Sequence, residues 1–394
     1  MDILDRCRSF DGARMAIDAG IYPFYLAFDD ADAAVARLDG REIVMCGSNN
    51  YLGLTRDPRV VGAAREALDR YGTSCTGSRL LNGNLRLHEE LEAELADFAG
   101  KEAALVFPTG YSANLGAISA LAGSGDVILV DKDVHASLLD ATQLTRASIK
   151  PFRHNDIADL RRRLAQVPGG AGRLVVVDGV YSMGGDLCPL PEIVEACGDF
   201  GARLLVDDAH GAGVLGDGRG TAAHFDLLDR VDILTLTFSK AFASIGGAVL
   251  GDADVIHYLR HHARSEIFSA SMTPASTAAA LAAVRVLRAE PWRARIPLQH
   301  AASVSTQLRN HGFATQPTPS AILPVPTGEV IQTGLAWRRL LDLGVYVNAV
   351  VPPAGSPRLR TSYTAAHTVQ HLSHVVSAFA TLRDEGWLDL PETA

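Results

Sequence analysis

Short apolar runs punctuate the chain, and stretches of helical period separate them. Ala103–Phe107, Val127–Val130, Leu174–Val177, Leu204–Val206, Ile233–Phe238 and Gly247–Leu250 are almost wholly apolar. Runs this short, bounded by polar and glycine residues, predict strands. Asp57–Arg70 reads as a helix with Val60, Val61, Ala64 and Leu68 on one face. Leu87, Leu91, Leu95 and Phe98 mark a second helix, with Gly100 placed to end it. Glu192–Phe200 reads as another helix after the proline turn at Pro189–Pro191. Strands that do not alternate polar and apolar, set between helices, predict an α/β fold with its sheet buried on both faces. Parallel and mixed sheets both fit this pattern.

The character changes after Met272. Pro274–Ala289 and Pro291–His311 read as two long helices. A smaller α+β tail follows, with a strand at Val345–Asn348 and a helix over His367–Gly386. We therefore expect an N-terminal arm over residues 1–50, a large α/β domain over 51–289 and a small C-terminal domain over 290–394.

Composition narrows the class. Of 394 residues, 47% are hydrophobic and 21% charged, a globular balance, and the net charge of −9 argues against a nucleic-acid surface. Five cysteines without metal or C-x-x-C spacing fit a reducing, cytoplasmic setting. The opening residues have no apolar core of the kind a signal peptide needs. The uncharged stretches 103–125 and 267–284 are broken by Pro, Gly, Ser or Thr, so no transmembrane segment is expected.

Chemistry gathers at three strand ends. One run ends at Asp178, the next at Asp207 with His210 just beyond, and the third at Ser239-Lys240. Ligands of open α/β sheets bind at the carboxyl ends of strands. A polar residue after a strand is by itself an ordinary loop start. Here a glycine turn, Thr109-Gly110-Tyr111, also leads into a helix and offers backbone N–H groups to a phosphate. A cofactor with an aldehyde, a ring nitrogen and a phosphate would use the whole set. Lysine would form the Schiff base, and a buried carboxylate would keep the ring nitrogen protonated. Pyridoxal 5'-phosphate (PLP) is such a cofactor. Other polar groups have plainer readings: His88 fits packing, and the His261–Arg264 run fits a solvated helix end.

Eight segments appear in order: SNNYLGL (48–54), GSRLLNG (77–83), LHEELE (87–92), HASLLD (135–140), GVYSMGGD (179–186), DDAHGAGVLG (207–216), TFSKAFASIGG (237–247) and RLRTSYTAAHT (358–368). Together they resemble the α-oxoamine synthases, which are fold type I PLP enzymes. The resemblance implies a large, mostly parallel seven-stranded sheet domain and a smaller C-terminal α+β domain. It also implies a homodimer with shared sites.

The resemblance assigns roles by position. Lys240 would be the Schiff-base lysine and the proton shuttle. Asp207 would pair the pyridine nitrogen, His210 the phenolic oxygen, and His135 would lie on the ring face. Gly110 and Tyr111 would give backbone amides to the phosphate, with a hydroxyl from Thr237; Ser239 offers a second hydroxyl by its own position beside Lys240. Asp178 and Ser182 would lie beside the cofactor. Asn50 and Arg360 would hold the substrate carboxylate. Ser269 and Ser271 would reach the partner subunit's phosphate. Metal ligands are not expected.

The implied reaction is decarboxylative condensation of a small L-amino acid, serine, alanine or glycine, with an acyl-CoA or acyl-carrier-protein thioester. Asp178 and Ser239 stand where much of the family has Glu and Gly, which leans toward the serine-palmitoyltransferase-like branch. A fold type I aminotransferase or aldolase would carry much of the same cofactor set and is the alternative. A relative that has lost PLP is disfavoured by the complete set of Lys240, Asp207, His210 and His135.

Overall fold

The computed structural model describes residues 2–387. Fourteen strands lie within them. They are β1 (Asp30–Ala31), β2 (Val35–Leu38), β3 (Arg41–Met45), β4 (Ala103–Phe107), β5 (Val127–Asp131), β6 (Ser148–Phe152) and β7 (Arg173–Asp178), then β8 (Arg203–Asp207), β9 (Ile233–Thr237), β10 (Gly247–Gly251), β11 (Ile322–Pro326), β12 (Val345–Tyr346), β13 (Asn348–Val350) and β14 (Arg358–Ser362). All six expected apolar runs become strands of one seven-stranded sheet, ordered β4-β10-β9-β8-β7-β5-β6. Only β10 runs against its neighbours. The central strands are buried along their whole length, which is why they show no alternation.

The seventh strand, β6, carries no such signal. It reads SIKPF, is half exposed and lies at the sheet edge. Pro151 lacks an N–H and is tolerated there because an edge strand needs only one set of ladder bonds.

The helices follow their periodicity. Pro58–Tyr71 starts on an Asp57 cap, whose side chain accepts from Arg59 N. Its buried face runs through Val60 and Ala67, so Leu68 turns out to solvent at 43% exposure, against expectation. Arg86–Ala99 ends at Gly100 in the left-handed region, as its spacing predicts. Pro274–Ala289 is one helix, whereas Pro291–Ala294 forms a 3-10 turn before the Arg295–Asn310 helix.

A second hydrophobic cluster gathers residues 36–46 with residues 301–382. Here β2 and β3 from the expected arm join a sheet with β12, while β11, β14 and β13 form another. The strand expected over Val345–Asn348 is broken. Val345–Tyr346 pairs with β3, and Asn348–Val350 turns away to pair with β14. No helix among the described residues is long and apolar enough to cross a membrane.

Candidate active site

Strands β7, β8 and β9 are neighbours, so their carboxyl ends open on one crevice. Asp178 and Asp207 are register partners across β7 and β8. Lys240 follows β9, three residues past its end. These groups line a cavity of about 330 Å³, together with Gly110, Tyr111, His135, Ser182, His210, Thr237 and Ser239. A second cavity of about 360 Å³ shares His135, Ser182, His210 and Lys240 with the first and adds Asn49, Arg360 and an apolar wall.

The first cavity is built around its carboxylates. Asp207 is buried; its Oδ2 accepts from Asn114 Nδ2 at 2.7 Å, and its Oδ1 accepts from Ala209 N at 3.1 Å. The same Asn114 amide donates to Ser137 Oγ at 2.8 Å, and its buried Oδ1 has no hydrogen-bond partner among the described residues. Asp178 accepts from His135 N at 3.1 Å. Burial and then the Asp207 charge push the Asp178 carboxyl well above the usual carboxylate range. Asp178 is thus the carboxyl of this pair whose surroundings favour the protonated form.

The bases are poised the other way. Desolvation pulls the Lys240 amine down to about 8, and the Arg360 charge adds to it, while Asp207 and Asp178 oppose. Burial, and then Lys240 and Arg360, drive His210 well below the usual imidazole range. His135 stands at the cavity mouth, where partial desolvation lowers it and Asp207 partly opposes. Its Nδ1 meets Ser137 Oγ at 2.7 Å, which orients the ring.

The helix Gly110–Leu121 opens at the cavity with Thr109 as its cap. Thr109 Oγ1 takes the Ser112 N–H at 3.0 Å, leaving the first two amides, of Gly110 and Tyr111, without intrahelical acceptors. A side chain at Gly110 would come within 2.7 Å of Thr237 Cβ, so only glycine lets the turn close on that strand. Thr237 Oγ1 and Ser239 Oγ pair at 2.8 Å on the far side. The Tyr111 hydroxyl bonds Asp140, which holds its ring near His135.

Asn50, expected on the substrate carboxylate, and Ser271, expected at the partner subunit's phosphate, do not line these two cavities. The Asn50 side chain turns into the backbone: Oδ1 accepts from Leu54 N at 3.1 Å and Nδ2 donates to Thr55 Oγ1 at 2.7 Å. Asn49 faces the cavity instead, and its Oδ1 accepts from Arg360 at 3.1 Å. Ser271 lies outside both cavities; its hydroxyl is buried and reaches Gly77 O at 3.0 Å and Gly83 O at 2.7 Å. Arg360 is buried on β14 and is held by the Ser182 carbonyl and by Ser362 Oγ.

Asn49, Tyr51, Asn114 and Ser137 carry no signal on their own. Asn114 could have been found from spacing, because it lies one helical turn after Gly110 and shares its face. The plainer readings hold. His88 is buried and bonds Leu85 N and Met272 O within the fold, and His261 and His262 are exposed at a helix end.

The donor set fits PLP. A lysine, a buried carboxylate, a histidine and a helix start with two free amides converge on one cavity, as an aldehyde, a ring nitrogen, a phenolic oxygen and a phosphate require. Comparison with known proteins agrees. The model of the aminotransferase class I and II family matches residues 41–379. The chain is 44% identical over 361 residues to a serine palmitoyltransferase from Sphingobacterium spiritivorum, covering 91% of this chain and 90% of that protein. It is 44% identical over 353 residues to an 8-amino-7-oxononanoate synthase from Geobacter sulfurreducens, covering 88% and 90%. Among solved structures, a Sphingomonas wittichii serine palmitoyltransferase superposes with a TM-score of 0.95 at 37% identity, covering 99% of this chain and all of that one. A serine palmitoyltransferase from S. paucimobilis with a bound PLP–myriocin aldimine matches at 0.94 and 37%, covering 98% and 100%. With the cofactor set, the fold and these relatives in agreement, the chain belongs to the α-oxoamine synthase family of PLP-dependent acyltransferases on the fold type I scaffold.

Proposed function

We propose that this enzyme condenses L-serine with a long-chain acyl thioester, releasing CO2 and the thiol, and that it works as a homodimer. The observation that carries the substrate reading is the outer cavity. Away from Lys240 its wall is Pro23, Phe24, Met183, Tyr346, Val350 and Val351, while Arg360 supplies a buried cation. An apolar wall suits an uncharged acyl chain. A buried guanidinium beside a polar amide suits an amino-acid carboxylate.

Lys240 would hold the cofactor covalently, Asp207 would face its ring nitrogen and His210 its phenolic oxygen. The Gly110 and Tyr111 amides, with Thr237 and Ser239, would take the phosphate. Bound PLP supplies an electron sink for the charge left at the amino-acid α-carbon. Freed by the incoming amine, Lys240 would take the α-proton. An amine near 8 leaves about one in ten molecules unprotonated at pH 7, where an ordinary lysine leaves far fewer. Asn114 would fix the orientation of Asp207. Asn49 and Arg360 would hold the carboxylate until it leaves as CO2, and Lys240 would return a proton to the same carbon. His135 would cover the ring face and keep the amino acid aligned.

The test incubates purified holoenzyme with each of serine, alanine and glycine and with acyl thioesters of graded length, and identifies products by mass. We expect the serine-derived amino ketone with a long-chain acyl group to dominate. Equal turnover of a short dicarboxylic acyl thioester would overturn the substrate reading.

A further inference from the structure

One hydroxyl ties the cofactor side of the site to its substrate side. Tyr51 is buried; its Oη lies 2.7 Å from His210 Nδ1 and 3.2 Å from Asn49 Oδ1. Asn49 Oδ1 also accepts from the Arg360 guanidinium at 3.1 Å. Tyr51 has one proton to give. His210 is neutral, because desolvation and the charges of Lys240 and Arg360 hold it well below the usual imidazole range, so it also carries one proton.

Two arrangements satisfy this chain of groups. In the first, Tyr51 donates to Nδ1, and the Nε2–H of His210 faces the cavity as a donor. In the second, Nδ1–H donates to Tyr51, Tyr51 donates to Asn49, and Nε2 faces the cavity as an acceptor. Asn49 Oδ1 already has a charged donor in Arg360, whereas Tyr51 is the partner found for Nδ1. The second arrangement needs the hydroxyl to donate over 3.2 Å to Asn49, longer than the about 2.5–3.0 Å of an O–H donor, whereas 2.7 Å to Nδ1 suits one, so the first arrangement wins.

We propose that Tyr51 is a positioning residue that fixes His210 in the tautomer with its proton on Nε2, aimed at the cofactor's phenolic oxygen. The inference rests on the cofactor placement proposed above. Its physical content is that a neutral aromatic residue, outside the cofactor contacts, sets whether His210 gives or takes a hydrogen bond there. The titratable and charged groups facing His210 are Tyr51, His135, Lys240 and Arg360.

The variant is Tyr51→Phe, which keeps the buried ring and removes the hydroxyl. The first readout is the visible absorbance of the holoenzyme, titrated from about pH 6 to about pH 10 without amino acid or thioester. A donor at the phenolic oxygen draws charge from it and weakens the hold on the proton at the neighbouring Lys240 nitrogen. Losing the fixed donor should move the midpoint up by about half to one unit. The second readout is the nitrogen NMR of histidine-labelled protein, with His210 assigned by difference from His210→Gln. The parent should show a protonated Nε2 and an acceptor Nδ1, and Tyr51→Phe should show averaged tautomers. A protonated Nδ1 in the parent, or an absorbance midpoint in the variant within about 0.2 units of the parent, overturns the inference. A parent that binds no PLP overturns the cofactor placement instead, and the NMR readout still decides the tautomer.

Discussion

The two halves of the site are built in different ways. The inner half comes from one sheet: Asp178, Asp207 and Lys240 lie at or just past the ends of β7, β8 and β9, and Asn114 lies on the helix after β4. The outer half is drawn from distant segments: Pro23 and Phe24, Asn49, Met183, Tyr346 to Val351, and Arg360. A sheet holds neighbouring strand ends in register, so the inner groups meet once the strands pair. The outer groups meet only when residues 36–46 have packed against residues 301–382. The inner half therefore suits chemistry that must not shift. The outer half suits recognition, where changing one segment alters the substrate without disturbing the sheet.

The sharpest break of this contrast is Lys240→Ala. It should retain the fold and lower turnover about a thousandfold or more, measured as product by mass, because both the covalent anchor and the base are lost. In the parent, kcat should rise about tenfold per pH unit below about 8 and then level, since the amine works only when unprotonated. Arg360→Ala links the halves. Its charge helps to hold Lys240 down, so its loss should move that limb to higher pH while raising the KM for the amino acid about 10- to 100-fold. Arg360→Lys should rescue the pH limb more than the KM, because an ammonium keeps the charge and not the planar fork. A KM effect of equal size on the thioester would break the assignment of Arg360 to the carboxylate.

The sequence carried the two halves unequally. Asp207, His210 and Lys240 are legible because each follows an apolar run too regular to be a loop, and neighbouring strands then bring them together. β6 was not legible, because an exposed edge with Lys150 and Pro151 has no apolar pattern to read. In the outer half, Val345–Asn348 looks like one strand, and only tertiary pairing splits it between β3 and β14. Asn49 and Asn50 show the limit most clearly. Two identical side chains stand side by side in an irregular segment. Which one caps the turn and which faces the cavity is decided by backbone direction, a property with no residue-type signature.

That pair gives a smaller prediction. Asn49→Ala should raise the amino-acid KM about tenfold with little change in stability, because it removes a partner of Arg360 at the cavity. Asn50→Ala should leave KM unchanged and cost about 1 kcal/mol in denaturant unfolding, because it strands the Leu54 N–H. A reversed pattern would return the carboxylate role to Asn50.

The smallest expected effect on turnover lies in the loop that joins the halves. Val180 and Leu187 bridge across this loop, its Ser182 carbonyl holds Arg360, and its Asp186 meets His154 Nε2 at 2.9 Å. His154 Nδ1 meets the buried Asp131 at 3.1 Å. Burial works against a charge on His154, but the hydrogen bonds to Asp131 and Asp186 outweigh it and raise the imidazole to about 10. A group raised on folding stabilises fully below its unfolded value, about 6.5, and loses that contribution as pH climbs through about 10. His154→Gln should therefore cost about 2 kcal/mol at pH 6, read from urea midpoints, and visibly less at pH 9.5. Turnover of the folded variant should change by less than about threefold, because the loop still has its bonds to Ser320 and Asn155. A stability gap that stays constant between pH 6 and pH 9.5 would mean that His154 is not the cation joining β5 to the loop.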